Sequence, residues 1–359
     1  MHPTLLIGPS DWQPERMPKA EFLRRIEALW QSCPDASRAL VYGSPRHHAE
    51  LAYLTNFVPK LEPAVALLSR SDEPRLFVGG GANMLGAARP LTWIENLAPL
   101  EELESARTSA CILIGGGYMS TTLRRTLGDA PDVTSQLWTQ MRCKSSCELG
   151  AIRESCAILG AAMEAVAQAK QSGASVTAAI LAGERAANDR GAQDVRTLFS
   201  VNGGRTLQPF GMLIERTVDP LQLYIAVRQL NYWAEGFALR SERPCPAAEK
   251  ADALLHAVLP LIKAGSSTSA AAKLLTSERA PYQCHPVTTG ALANSFGLAL
   301  EETPCTDIGT TFEAGEVYSL KIGVTDGADQ HAITSAMIAL REDGSDILWK
   351  SESSIIRAK

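Results

Sequence analysis

Apolar residues recur along this chain in two rhythms. Between Glu21 and Gln31 (EFLRRIEALWQ) they fall at helical spacing. They do so again from about Ser146 to Gln171, where Ile152, Cys156, Leu159, Ala162, Met163, Val166 and Ala167 follow the period of an α-helix. Gly173 is a stop signal for that helix, and a second is predicted over Val176–Asp189, before Gly191. Two more are predicted around Ala247–Ala264 and Thr268–Ser277, broken at Gly265. Short apolar runs predict strands at Arg38–Tyr42, Ala64–Leu68, Arg75–Val78 and Cys111–Ile114. Later runs predict strands at Val195–Val201, Leu221–Val227, Tyr232–Arg240, Val317–Ile322 and Ala332–Leu340. The first third thus alternates strands and helices. The remainder runs helix, helix, strands, helix, helix, strands, which suggests an α+β domain with an internal duplication, although no sequence repeat supports it. The pattern changes near Gln140, which predicts domains over 1–139 and 140–359.

Composition narrows the function classes. The chain has 359 residues, 45% hydrophobic and 20% charged, so it is not a disordered chain. With 34 Lys and Arg against 39 Asp and Glu the net charge is −5, and no basic block offers a phosphate-binding face, so nucleic-acid binding is not expected. Eight cysteines are too few for a disulfide scaffold, and Cys143 and Cys147 have no second Cys/His pair at zinc-site spacing. Free thiols, the absence of a basic leader and the absence of a long apolar run lead us to expect a cytoplasmic protein with no membrane partner. Glycine triplets follow two of the predicted strands, at Gly79–Gly81 and Gly115–Gly117. Neither has the spacing of a dinucleotide or P-loop motif, so both are read as turns.

Three segments carry a resemblance. Arg142-Cys143-Lys144-Ser145-Ser146-Cys147-Glu148-Leu149 resembles the R-x-x-K-s-x-x-E-l that opens the first helix of the pita-bread superfamily of creatinase, prolidase, aminopeptidase P and methionine aminopeptidase. Asn294-Ser295-Phe296-Gly297-Leu298 resembles its H-[GS]-[IF]-G-x, and Phe312–Leu320 (FEAGEVYSL) its l-E-P-G-M-V-f-S-i. Ala52-Tyr53-Leu54-Thr55-Asn56-Phe57 is similar to the accessory domain of creatinase and prolidase. The resemblance implies an α+β fold: a creatinase/prolidase-like α/β domain followed by a pita-bread domain. It also implies a homodimer acting on a small-molecule substrate.

The peptidases of that superfamily bind two divalent metals through two Asp, one His and two Glu. Carried onto this sequence, those positions hold Ala226, Phe237, Asn294, Lys321 and either Thr334 or Ser335. Ala and Phe cannot ligate a metal, and Lys puts a cation where cations would sit. No metal and no cofactor are therefore expected. Creatinase is also metal-free and carries H-S-F-G, close to Asn294-Ser295-Phe296-Gly297, but the position of its general-base His falls near Leu207–Phe210, where no His stands.

Side-chain alternation then selects what remains. If Phe237 faces inward, so do Glu235 and Trp233; if Lys321 does, so does Ser319. His331 shares that face if Ser335 marks the register, and points away if Thr334 does. Glu301 stands where many of these peptidases hold a catalytic His. The expected catalytic set is Glu235, Lys321, His331 and Glu301, with Glu235 or His331 as base. Each has a plainer alternative as a solvated or structural residue. The expected substrate-binding set is Arg205, which follows the turn Asn202-Gly203-Gly204, with Phe237, Asn294, Glu302 and His285. Arg46, His48 and Lys60 join it if the N-terminal domain reaches a partner's site. The functional expectation is a metal-independent, creatinase-like hydrolase of a C–N bond in a small polar metabolite. The alternatives are an inactive binding or scaffold protein, an Xaa-Pro-type metallopeptidase, or a lyase or isomerase.

Overall fold

In the computed structural model the described residues are 11–106, 111–127, 130–279, 283–285, 287, 292–300, 302, 304–305, 311–326, 330–351 and 354–355. They form two compact units, Met1–Arg142 and Cys143–Lys359. The division falls beyond residue 139 because the helix Thr134–Arg142 continues across that point, burying Leu137 and Met141 within the first unit.

In the first unit α1 (Lys19–Ser32) and α2 (Ala49–Thr55) accompany a five-stranded sheet of order β4-β3-β2-β1-β5. Its strands are β1 (Arg38–Gly43), β2 (Ala64–Ser69), β3 (Arg75–Val78), β4 (Asn96–Pro99) and β5 (Cys111–Ile114). β1 runs antiparallel to β2 and parallel to β5. Both glycine triplets are turns: Gly80, Gly81 and Gly115 hold positive φ, which glycine adopts without a Cβ penalty.

In the second unit the helix α3 (Ser146–Gln171) has the bounds that periodicity predicted. Ser145 accepts from the Glu148 N–H, and the Glu148 carboxylate accepts from the Ser145 N–H. This reciprocal cap contributes about 1 kcal/mol and gives a physical reason for the Ser and Glu of the opening motif. α3 and α4 (Val176–Asn188) cover one face of a four-stranded sheet whose main strands are β6 (Asp194–Ser200), β7 (Leu221–Gln229) and β8 (Tyr232–Ser241), with Ser354–Ile355 pairing parallel to β8 at its edge. Gly183 lets the two helices approach: a Cβ there would lie 2.5 Å from Val166 Cγ2.

α5 (Pro246–Val258) covers a second sheet, with α6 (Thr268–Glu278) beside it. The main strands of this sheet are β9 (Val317–Thr325), β10 (His331–Arg341) and β11 (Gly344–Lys350), all antiparallel. Ala293–Ser295 pairs with the outer edge of β9. Alternation along β9 sends Tyr318, Leu320, Ile322 and Val324 into the core with Leu254, Leu255, Val258, Ile338 and Leu340. Each fully buried large apolar side chain there contributes about 1.5–3 kcal/mol. The same alternation leaves Ser319 and Lys321 on the other, inner face. Among the described residues no helix is long and apolar enough to cross a membrane.

Candidate functional site

The inner faces of the two sheets meet where β8 passes β10. Gln222 spans the junction: its Nε2 donates to the carbonyls of Ile333 (3.0 Å) and Ala238 (3.1 Å), and its Oε1 accepts from the Ile333 N–H (2.8 Å). Phe237 N–H donates to Ser335 Oγ at 2.7 Å. The register of the last strand is thereby decided. Ser335 pairs with Lys321 and faces inward, whereas Thr334 turns away and contacts Ser351.

Lys321, in the Ser335 row, forms an ion pair with Glu235, which stands one row along β8 from Phe237, with Nζ 2.8 Å from Oε1. The other carboxylate oxygen of Glu235 accepts from the Tyr224 hydroxyl at 2.9 Å. Glu235 is 3% exposed and Lys321 15%, so the ammonium is the accessible side of the pair. Phe237 packs beside it, its ring 4.8 Å from that of Tyr224 and 5.9 Å from Lys321 Nζ. Asn294 is buried and pairs across the sheet with Ser319. Ser319 Oγ is buried on the Lys321 face and has no hydrogen-bond partner among the described residues.

The remaining sequence candidates separate from this group. His331 is the first residue of β10, four positions from Ser335, which along a strand is about 13 Å from the Lys321 row. It stacks edge-on against His285 (5.7 Å between centroids), and its Nδ1 lies 3.0 Å from Thr325 Oγ1. His285 is fully buried. Its Nε2–H donates to the Gly204 carbonyl at 2.6 Å, and its Nδ1 accepts from the Val287 N–H at 3.1 Å. Burial lowers its pKa, the Gly204 bond opposes this, and His331 lowers it further. With both nitrogens committed, His285 is a latch on the turn at Gly203-Gly204 and is not presented to a substrate. The single constellation of Glu235, Lys321 and His331 expected from alternation is therefore corrected to two separate groups, because shared face does not mean shared row.

Glu302 is also corrected. It is buried against Lys144, with Oε1 accepting from the Leu298 N–H at 2.7 Å. The Lys of the opening motif thus holds the loop after Asn294, and Glu302 serves structure. Arg205 is exposed at the end of the turn that Asn202 folds by accepting from the Thr206 N–H at 3.1 Å. Glu301 lies outside the described residues. Arg46, His48 and Lys60 belong to the first unit: Arg46 is exposed, and His48 precedes α2. Tyr224 was missed by the sequence reading, although its signal was present: it stands two residues before Ala226 and so shares that face.

No protein-family profile and no curated protein matches the chain. Solved structures do. The prolidase from Pyrococcus horikoshii OT3 superposes with a TM-score of 0.76 at 14% identity, covering 93% of this chain and 99% of that one. The X-Pro aminopeptidase from Thermotoga maritima MSB8 gives 0.74 at 16% identity, over 93% and 98%. A variant of Escherichia coli aminopeptidase P gives 0.71 at 16%, over 92% and 94%. Near full-length likeness to prolidases and aminopeptidases, with the element order described above, shows that this chain has the α+β pita-bread fold that its motifs implied.

Proposed function

We propose that this protein is a metal-independent hydrolase that cleaves a C–N bond in a small polar metabolite. The solved structures it resembles are named as prolidases and Xaa-Pro aminopeptidases, which supports a hydrolase. The observation that carries the rest is the Lys321–Glu235–Tyr224 cluster on the inner face. A pair of hard divalent cations needs converging carboxylates or imidazoles. Among the described residues no three His, Cys, Asp or Glu side chains converge to hold a metal. Lys321 Nζ lies on the one carboxylate of the cluster, and Ser335 Oγ is engaged by Phe237. These residues do not fit the metal pair, so the chemistry is assigned to the chain's own side chains.

In this reading Glu235 is the general base. It takes a proton from the attacking water, whose oxygen adds to the carbonyl or amidine carbon. Lys321 faces the negative charge that develops there, and the orphaned Ser319 hydroxyl adds a donor on the same face. The C–N bond then breaks, and the proton held by Glu235 goes to the leaving nitrogen. His331 stands too far along its strand to share the step. Arg205 and Asn294 remain binding candidates, and we read the protein as a cytoplasmic homodimer. A second reading, an inactive binding protein, is favoured by the engagement of both Glu235 oxygens.

Elemental analysis of purified protein should find less than one divalent metal per chain, and addition of Mn²⁺ or Co²⁺ should leave its melting temperature unchanged. Stoichiometric metal would restore the peptidase reading. A thermal-shift survey of small amides, guanidino acids and cyclic amidines should find a ligand that wild type hydrolyses and Glu235→Gln only binds. A ligand bound but never turned over by wild type establishes the inactive reading instead.

A further inference from the structure

A cavity of about 270 Å³ opens at the far end of β8, beyond the Gln222–Ile333 junction. Its wall includes Ser241, six residues from Glu235 and so about 20 Å away along the strand. The cavity is therefore separate from the Lys321–Glu235 pair. Asp219 and Pro220 line it at the entry to β7, Arg243 and Pro244 between β8 and α5. Cys245, which precedes α5, and Gln330, which precedes β10, line it as well. Each proline fixes its own φ, so these walls are stiff.

Asp219 is firmly held through one of its oxygens. Oδ1 accepts from the Glu242 N–H at 2.8 Å and from Lys170 Nζ at 3.2 Å. Oδ2 has two long contacts, Ser241 Oγ and Arg243 Nε, each at 3.5 Å. Burial pushes the Asp219 carboxyl up, but the Glu242 N–H and Lys170 hold it below its ordinary value, so it is a carboxylate at neutral pH. Arg243 is 81% exposed. A pair so exposed and so long holds little, and the guanidinium fork can turn to a second acceptor. Gln330 Oε1 is buried with no hydrogen-bond partner among the described residues, a lack that native structures seldom leave unmet. The cavity thus offers a carboxylate oxygen, an amide oxygen in want of a donor and a guanidinium in want of an acceptor. Pro220, Pro244 and Cys245 supply its apolar side.

We propose that this cavity binds a zwitterion, an α-amino acid with a small apolar side chain. The ligand's ammonium donates to Asp219 Oδ2 and Gln330 Oε1. Its carboxylate meets the Arg243 fork with two parallel hydrogen bonds, and its side chain rests on Pro220, Pro244 and Cys245. Unlike charges side by side on the wall favour a ligand that carries both signs close together, since a simple anion would face Asp219 and a simple cation Arg243. The site shares no residue with the Lys321–Glu235 pair, so it goes beyond the hydrolase reading and does not depend on it. Asp219, Arg243 and Gln330 were not among the sequence candidates, because they come from strand ends distant in the chain and only sheet pairing brings them to one cavity.

L-Valine, its deaminated analogue 3-methylbutanoate and its decarboxylated analogue 2-methylpropylamine make the test. Isothermal titration of the full chain should show saturable binding of valine, with each analogue weaker by about tenfold or more. Arg243→Gln, at an exposed position, should fold normally and remove the advantage of valine over 2-methylpropylamine. Gln330→Met, which removes an unpaired acceptor, should instead reduce the advantage over 3-methylbutanoate. Asp219→Asn would disturb Lys170 as well, so the two milder variants carry the test. Glu235→Gln should leave valine binding unchanged, whether or not the protein proves to be a hydrolase. No saturable binding of valine, equal affinity for the three compounds, or a valine affinity that either mild variant leaves untouched overturns the proposal. Loss of valine binding in Glu235→Gln would place the ligand at the Lys321 cluster and overturns it too.

Discussion

Lys321 sets the character of the candidate site. Its ammonium lies on a carboxylate that is nearly inaccessible, and the hydroxyl of Tyr224 takes the other oxygen. Removing one partner of such a pair leaves the other desolvated and uncompensated. Lys321 keeps some contact with water, which places the loss at the low end of that range. Lys321→Met should cost about 1–3 kcal/mol. Lys321→Glu should cost more, because it sets two carboxylates side by side in a site that cannot ionise both. Urea unfolding of the two variants checks the order. Equal effects within about 0.5 kcal/mol, the range of ordinary surface positions, would mean that Lys321 does not engage Glu235.

At the scale of elements, the turn after β6 is tied to the start of β10 through two histidines. Gly204 packs against the His331 backbone so closely that a Cβ would lie 2.5 Å from its carbonyl oxygen, and its own carbonyl is held by His285. Protonation of His285 would place a hydrogen on Nδ1, where the Val287 N–H already points. The folded pKa of His285 lies below the ordinary 6.5, so below that pH the unfolded chain binds a proton that the folded chain refuses. This contribution to stability is complete above pH 6.5 and is lost as the pH falls from there through the folded value. The slope is up to about 1.4 kcal/mol per pH unit. Unfolding free energies between pH 7.5 and 5.5 should fall more steeply for wild type than for His285→Asn. Parallel curves would show that the latch does not titrate.

The whole molecule raises the question of its assembly. Arg46, His48 and Lys60 belong to the first compact unit, and the inner-face cluster to the second. The pita-bread resemblance leads us to expect a homodimer, so light scattering at micromolar concentration should give about twice the 38.5 kDa of one chain. A monomer would remove those three residues as candidates for a partner's site.

Periodicity alone determined most of the elements. The helix Ser146–Gln171 and the strands Arg75–Val78 and Cys111–Ile114 keep their predicted bounds, because a helix face or strand that buries apolar residues writes its period into a short stretch of chain. Alternation, anchored on the inward positions that the resemblance supplied, was also enough to put Glu235 and Lys321 on one face. It did not rank rows. Whether Ser335 or Thr334 faced inward, and how far His331 stood from Lys321, depended on hydrogen bonds between strands distant in sequence, such as Phe237 to Ser335. Glu302 read as a site residue until the fold brought Lys144 to it. Face is a property of one strand and is legible in its sequence. Row is a property of paired strands, and only the tertiary structure decides it.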